Sequence, residues 1–136
     1  MCIRDRVNTS AWNLVTGEVT SLAADPSDSS GNTLYVGTGG GGVWKSTNAA
    51  GSVGGASFIP LTDTLSVWSS SSAPMTSLSI GAVTVQPGGT GVILAGTGDP
   101  NNATSSWYGA GILRSADGGN TWTLIHACLL YTSRCV

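Results

Sequence analysis

Few side chains in this sequence are equipped to do chemistry. Five Lys or Arg, seven Asp or Glu, three Cys and a single His are spread over 136 residues. The carboxylate with the most defined surroundings is Asp117, in the run Ser115-Ala116-Asp117-Gly118-Gly119-Asn120-Thr121-Trp122. Two kinds of chemistry suit it. Paired with a second carboxylate about 5 to 10 Å away, it would serve glycosidic hydrolysis as acid, base or nucleophile. Within a tight turn, it would instead accept hydrogen bonds from neighbouring amides. The neighbours favour the turn. Asp117 to Asn120 tolerate positive φ, Ile112 and Leu113 lead in as a strand, and Thr121 to Ile125 lead out, so the run predicts a hairpin. Trp122 carries a large apolar area back to the core. Asp25 and Asp28 also fall in turn sequences. His126 has no visible partner and is assigned no role. Gly39 to Gly42 lacks the Gly-Lys-Ser/Thr and the following helix of a phosphate loop, so it reads as a tight turn.

The chain ends differ in kind from the rest. Met1 to Asp5 is encodable by ATG TGT ATA AGA GAC, with AG opening the codon of Arg6. The complementary strand, shifted by one base, encodes Cys-Leu-Leu-Tyr-Thr, which is Cys128 to Thr132. Ser133 to Val136 reads as the first element in a new frame. This resembles a sequencing-library adapter translated at both ends, and residues 1–6 and 128–136 are set apart from fold reasoning. Cys2, Cys128 and Cys135 all lie there. The remainder has no cysteine and offers no disulfide framework, cysteine metal site or thiol nucleophile. No metal site and no cofactor are expected.

Between the ends, Lys45 and Arg114 face Glu18, Asp25, Asp28, Asp63, Asp99 and Asp117. Two cations cannot neutralise a phosphate backbone, which argues against nucleic acid as a partner. No apolar run approaches membrane-spanning length. Asn8-Thr9-Ser10 and Asn102-Ala103-Thr104 fit the glycosylation triplet, a weak signal. Turn signals recur every ten residues or so between short apolar blocks, which predicts an all-β chain.

Those blocks repeat. Glu18 to Ala24 alternates and stops at Asp25-Pro26, where proline removes a ladder donor. Thr33 to Gly37 reads as a strand buried on both faces, followed by Val43 to Ser46 and Phe58 to Leu61. Ile80 to Pro87 then answers Val19 to Pro26, Ile93 to Gly98 answers Leu34 to Gly39, and Gly111 to Ser115 answers Gly42 to Ser46. Ala11 to Leu14 resembles the last strand of a preceding unit. The expected division is residues 7–18 as the end of an earlier blade, 19–63 as a first blade, 64–78 as an inter-blade loop, and 79–127 as a second blade. Four strands per repeat is the pattern of a propeller blade.

The pattern Ser-x-Asp-x-Gly-x-Thr-Trp, carried by Ser115, Asp117, Gly119, Thr121 and Trp122, resembles the Asp-box of BNR-repeat β-propellers, which include sialidases, xyloglucanase-type hydrolases and sortilin-like receptors. The Gly-Thr-Gly after the second strand, and the Gly-(Val/Ile)-x-(Lys/Arg)-Ser leading to the box, are similar to large bacterial members. The resemblance covers nearly all of Val19 to Ile125. It implies a β-propeller fragment of two four-stranded antiparallel blades plus one leftover strand, with Trp44, Phe58 and Trp122 packed between blades. The first box is eroded: Ser46-Thr47-Asn48 keeps its start, and Ala49 to Ala56 forms a lengthened turn. Where xyloglucanase-type relatives carry a catalytic aspartate, this chain has Thr38-Gly39-Gly40-Gly41-Gly42. A sialidase would need an arginine cluster, and only Arg114 is available.

The resemblance therefore implies a non-catalytic, extracellular or cell-surface propeller that binds carbohydrate or protein. The alternative is a piece of a glycoside hydrolase whose catalytic residues lie on other blades. Antiparallel order puts the connections after the second and fourth strands at one end, away from the Asp-box. Two of these are long, and they carry the expected ligand face: Trp68, Asp99, Asn101, Asn102, Trp107 and Tyr108, a mixture of flat apolar surface and hydrogen-bonding groups. Open sheet edges and apolar faces also predict self-association.

Overall fold

The computed structural model describes residues 17–52, 54–63, 65, 78–98 and 109–126. Among these the chain is all-β. Eight strands run in order: β1 Val19–Ala24, β2 Leu34–Thr38, β3 Val43–Ser46, β4 Ile59–Pro60, β5 Ile80–Val85, β6 Ile93–Thr97, β7 Ile112–Ser115 and β8 Thr123–His126. They form two four-stranded antiparallel sheets, β1-β2-β3-β4 and β5-β6-β7-β8, each strand pairing with its neighbour in sequence. The adapter-like ends and the leftover strand read at Ala11 to Leu14 lie outside the described residues.

The internal repeat extends to the register across the first three strands of each sheet, while β7–β8 carries a shift at Ile112/Leu113 that β3–β4 lacks. Leu34 faces Ser46 across β2–β3 as Ile93 faces Ser115 across β6–β7, and Val36 faces Trp44 as Ala95 faces Leu113. Both first strands shift register at the same place, between Val19 and Ser21 and between Ile80 and Ala82. Such a bulge bends a strand and increases its twist. Loop bonds repeat too. Asp25 N donates to Thr33 O and Gln86 N to Val92 O, each at 2.9 Å; Gly39 N bonds Glu18 O as Gly98 N bonds Ser79 O.

Element boundaries differ most at β4. A strand over Phe58 to Leu61 shrinks to Ile59–Pro60, although the Leu61 amide still donates to Val43 O at 2.8 Å. Its place at the sheet edge is where proline is tolerated.

The core lies between the sheets. Tyr35 and Val43 from the first sheet meet Ile80, Ile93, Ala95, Leu113 and Trp122 of the second, with Ala23, Leu61, Val83 and Leu124 packed around them. Thr20 Oγ1 donates to Ile80 O, and Gly42 N donates to Leu78 O at 2.7 Å, so backbone bonds as well as side chains join the sheets. Gly37 permits the close approach: a Cβ there would lie 2.8 Å from Ile80 Cγ2. β2 is buried on both faces, as its run of adjacent apolar residues predicts, with Tyr35 and Val36 both inaccessible.

Candidate functional site

The Asp117 turn is built from the residue upward. Ser115 ends β7 and is buried, so its hydroxyl must find partners inside the protein. It donates to Asp117 Oδ1 at 2.8 Å and accepts the Gly119 amide at 2.9 Å. Asp117 Oδ1 also accepts the Thr121 amide at 2.9 Å, while Oδ2 accepts the Thr121 hydroxyl at 2.6 Å. Gly118 and Gly119 take φ of 72° and 95°, which L side chains rarely adopt, and they reverse the chain. Trp122 then turns inward, 6 % exposed, and its Nε1 donates to Gly119 O at 3.0 Å. Both carboxylate oxygens are committed to the turn. The Thr121 hydroxyl, the Thr121 amide and the Ser115 hydroxyl, in that order, hold the Asp117 carboxyl down to about 2.

The corresponding turn of the first sheet keeps the same network. Asn48 stands where Asp117 stands: its Oδ1 accepts the Ser46 hydroxyl at 3.1 Å, and the amide and hydroxyl of Ser57 at 2.9 and 3.2 Å. Ser57 does the work of Thr121. The intervening chain is longer, yet the amide–hydroxyl staple closes on an Asx residue in both sheets. Sequence reading recognised the start of the eroded box and missed Ser57 as its closing residue. The signal was the aromatic Phe58 next to it, in the place of Trp122.

The second turn also docks one sheet on the other. Gly118 O accepts from Lys45 Nζ at 3.1 Å and from Tyr35 OH at 3.3 Å, and Lys45 lies 5.3 Å from the Tyr35 ring centroid. Gly119 lies against the Leu61 side chain, where an added Cβ would stand 2.5 Å from Cδ1. Lys45 and Tyr35 come from strands that lie 73 and 83 residues before Gly118 in the chain, which hides the contact from sequence reading.

The aromatics divide. Trp122 joins the core between the sheets, as expected. Trp44, expected between blades, alternates with the inward Val43 and Lys45 and so lies on the other face of its sheet, half-buried, with Nε1 donating to Gly41 O at 2.6 Å. Phe58 is half-buried before β4.

Of the remaining described carboxylates, Glu18 and Asp63 flank the turn after β2, where a Cβ added at Gly39 would stand 3.0 Å from Glu18 Oε2 and one added at Gly42 would stand 3.5 Å from Asp63 Oδ1. Asp25 accepts the Ser27 amide and hydroxyl, and Asp28 accepts those of Ser30 and the Thr33 amide. The Ser30 hydroxyl, with further bonds from Thr33, holds Asp28 at about 2 as well. No cluster of three His, Cys, Asp or Glu suited to a metal occurs among the described residues. Nor does any helix there have the length and apolar character to cross a membrane.

At the opposite end of the sheets, Thr38 and Thr97 clamp the β2–β3 and β6–β7 connections. Thr38 Oγ1 donates to Gly42 O at 2.9 Å and accepts the Gly41 amide; Thr97 Oγ1 donates to Gly111 O at 2.7 Å and accepts the amides of Ala110 and Gly111. This gives the repeated Gly-Thr-Gly a physical reason. One threonine closes either a four-residue glycine turn or the neck of a much longer loop. The expected ligand residues Trp68, Asp99, Asn101, Asn102, Trp107 and Tyr108 lie outside the described residues.

No family model, curated protein or solved structure matches the chain.

Proposed function

We propose that this chain is part of a BNR/Asp-box repeat propeller that acts as a non-catalytic extracellular scaffold, binding carbohydrate or protein through the loops opposite the Asp-box. The observation that carries the reading is the commitment of both Asp117 oxygens to hydrogen bonds of their own turn. A carboxyl held at about 2 is ionised at neutral pH and has no proton to give as a general acid. Support for the repeat comes from two sheets with matching register, bulge and turn network. Support for the binding end is topological. The long connections, residues 61–79 and 98–111, leave the sheets at the end away from the Asp-box, and Gly42 N bonded to Leu78 O draws the β2–β3 and β4–β5 connections together.

The test is binding and hydrolysis measured side by side on cello-oligosaccharides and xylogluco-oligosaccharides. Trp107→Ala with Tyr108→Ala should abolish binding with the melting temperature nearly unchanged, and no reducing sugar should be released by any form of the protein. Sugar release lost in a normally folded Asp117→Asn variant would instead establish a glycoside hydrolase.

A further inference from the structure

We infer that the Asp117–Gly118 step is a site of covalent self-modification, aspartate to isoaspartate, which the folded turn holds closed and which opening of the turn releases. The residue types single it out. Aspartate rearranges when the amide nitrogen of the next residue attacks its side-chain carbon, and the attack is easiest on the amide of glycine, which has no side chain in the way. Asp117-Gly118 is the one Asp-Gly step in the chain, and Asn-Gly does not occur. The first sheet differs here, since Asn48 is followed by Ala49, whose methyl group hinders the same attack. The reaction needs no partner but water. The Gly118 nitrogen loses its proton and bonds to Asp117 Cγ, the C–OH bond of the carboxylic acid breaks, and one water leaves. Water then opens the resulting imide at the Asp117 α-carbonyl, which breaks the original peptide bond and routes the main chain through the former side chain.

The turn occupies both reacting groups. Gly118 N donates to Gly91 O at 2.9 Å, and the β5–β6 connection comes so close that a Cβ added at Gly91 would stand 3.3 Å from that nitrogen. A proton held by a neighbouring carbonyl is not free to leave. Asp117 Oδ1 accepts the Ser115 hydroxyl at 2.8 Å and the Thr121 amide at 2.9 Å, and Oδ2 accepts the Thr121 hydroxyl at 2.6 Å, so the carboxyl carbon is fixed in place. The same bonds keep it ionised, at about 2, and a carboxylate has no water to lose. Local opening frees the nitrogen and the carboxyl together, because one turn holds both. The product does not close again. Isoaspartate lengthens the main chain by a methylene and moves the carboxylate off the spacing that matches Ser115 and Thr121. Gly118 shifts as well, carrying with it the carbonyl that Lys45 and Tyr35 reach from the first sheet. The modified turn loses both its own closure and its dock on the neighbouring sheet.

The experiment incubates the full chain, folded and in concentrated guanidinium chloride, at equal pH and temperature. Asp117 is followed by digestion with an endoproteinase that cuts before aspartate and passes over isoaspartate. The folded chain should convert at least about tenfold more slowly than the denatured chain, because it reacts from the open turn alone. Thr121→Val, at an exposed position, removes the hydroxyl that donates to Oδ2 and leaves Asp117-Gly118 itself unaltered. It should convert faster than the unaltered chain when folded and equally fast in denaturant. Converted chain, separated and returned to buffer, should melt below the unconverted chain. Equal rates for the folded and denatured unaltered chain would overturn the inference, whether or not the variant folds. A folded Thr121→Val chain that converts no faster would overturn it too, since the carboxylate's bonds would then not be the guard, and so would converted chain that melts with the unconverted one.

Discussion

Asp117 and Asn48 perform one task with different charge, and the difference is measurable. An unfolded aspartate titrates near about 3.9, while the folded Asp117 is held at about 2 by Thr121 and Ser115. A folded value below the unfolded one means that the unfolded chain binds the proton more readily. The stabilisation is complete above the unfolded value and is lost as pH falls through the folded one. Asp28 contributes with the same sign through Ser30 and Thr33. Asp117→Asn should therefore fold, as Asn48 does in the first sheet, and should show a shallower loss of melting temperature between pH 4 and pH 2. Replacing Asp28 by Asn as well should flatten that limb further. Asp117→Ala should be less stable at neutral pH, since the Thr121 amide and the Ser115 hydroxyl lose their acceptor. An Asp117→Asn variant with the unaltered acid limb would show that this carboxylate is not its source.

At the scale of the strands, Thr97 holds the ends of β6 and β7 together across whatever sequence lies between them. Its hydroxyl makes three bonds, and valine would keep the shape while leaving the Ala110 and Gly111 amides without that acceptor. Thr97→Val should cost about 1 to 3 kcal/mol, the usual penalty for orphaned polar groups, and should speed hydrogen exchange at those two amides; unchanged exchange would mean the neck is held by Gly111 backbone bonds alone. Strands of this kind were readable from sequence because short alternating runs ended at Asp25-Pro26 and Gln86-Pro87, and because the order of blocks recurred. The Asp117 hairpin was readable because Gly118 and Gly119 stand where positive φ is needed. Two things were harder to read. Ser57 closes the first turn after a longer intervening run, so no fixed spacing marks it and only the aromatic Phe58 beside it points there. Trp44 fits an apolar strand equally well on either face, and only the pairing with Val36 decides which.

For the whole molecule, stability depends on the seam between the sheets rather than on either sheet alone. A four-stranded sheet with one apolar face uncovered has little independent stability, and here each sheet supplies the cover for the other. Ile80 is at the centre of that seam. It is fully buried, it fills the space that Gly37 leaves open, and its carbonyl accepts the Thr20 hydroxyl from the first sheet. Ile80→Ala removes buried methyl groups from a site packed closely against Gly37 of the first sheet, and should cost about 2 to 5 kcal/mol. Because the loss falls on the shared core, both sheets should weaken together. Measured at concentrations where the chain is a monomer, amide exchange at Tyr35 in β2 and at Leu113 in β7 should accelerate by similar factors, and the transitions followed by far-ultraviolet dichroism and tryptophan fluorescence should coincide. If Leu113 loses protection while Tyr35 keeps it, the first sheet is stable without the second, and the seam is a contact between independent units rather than the core of one.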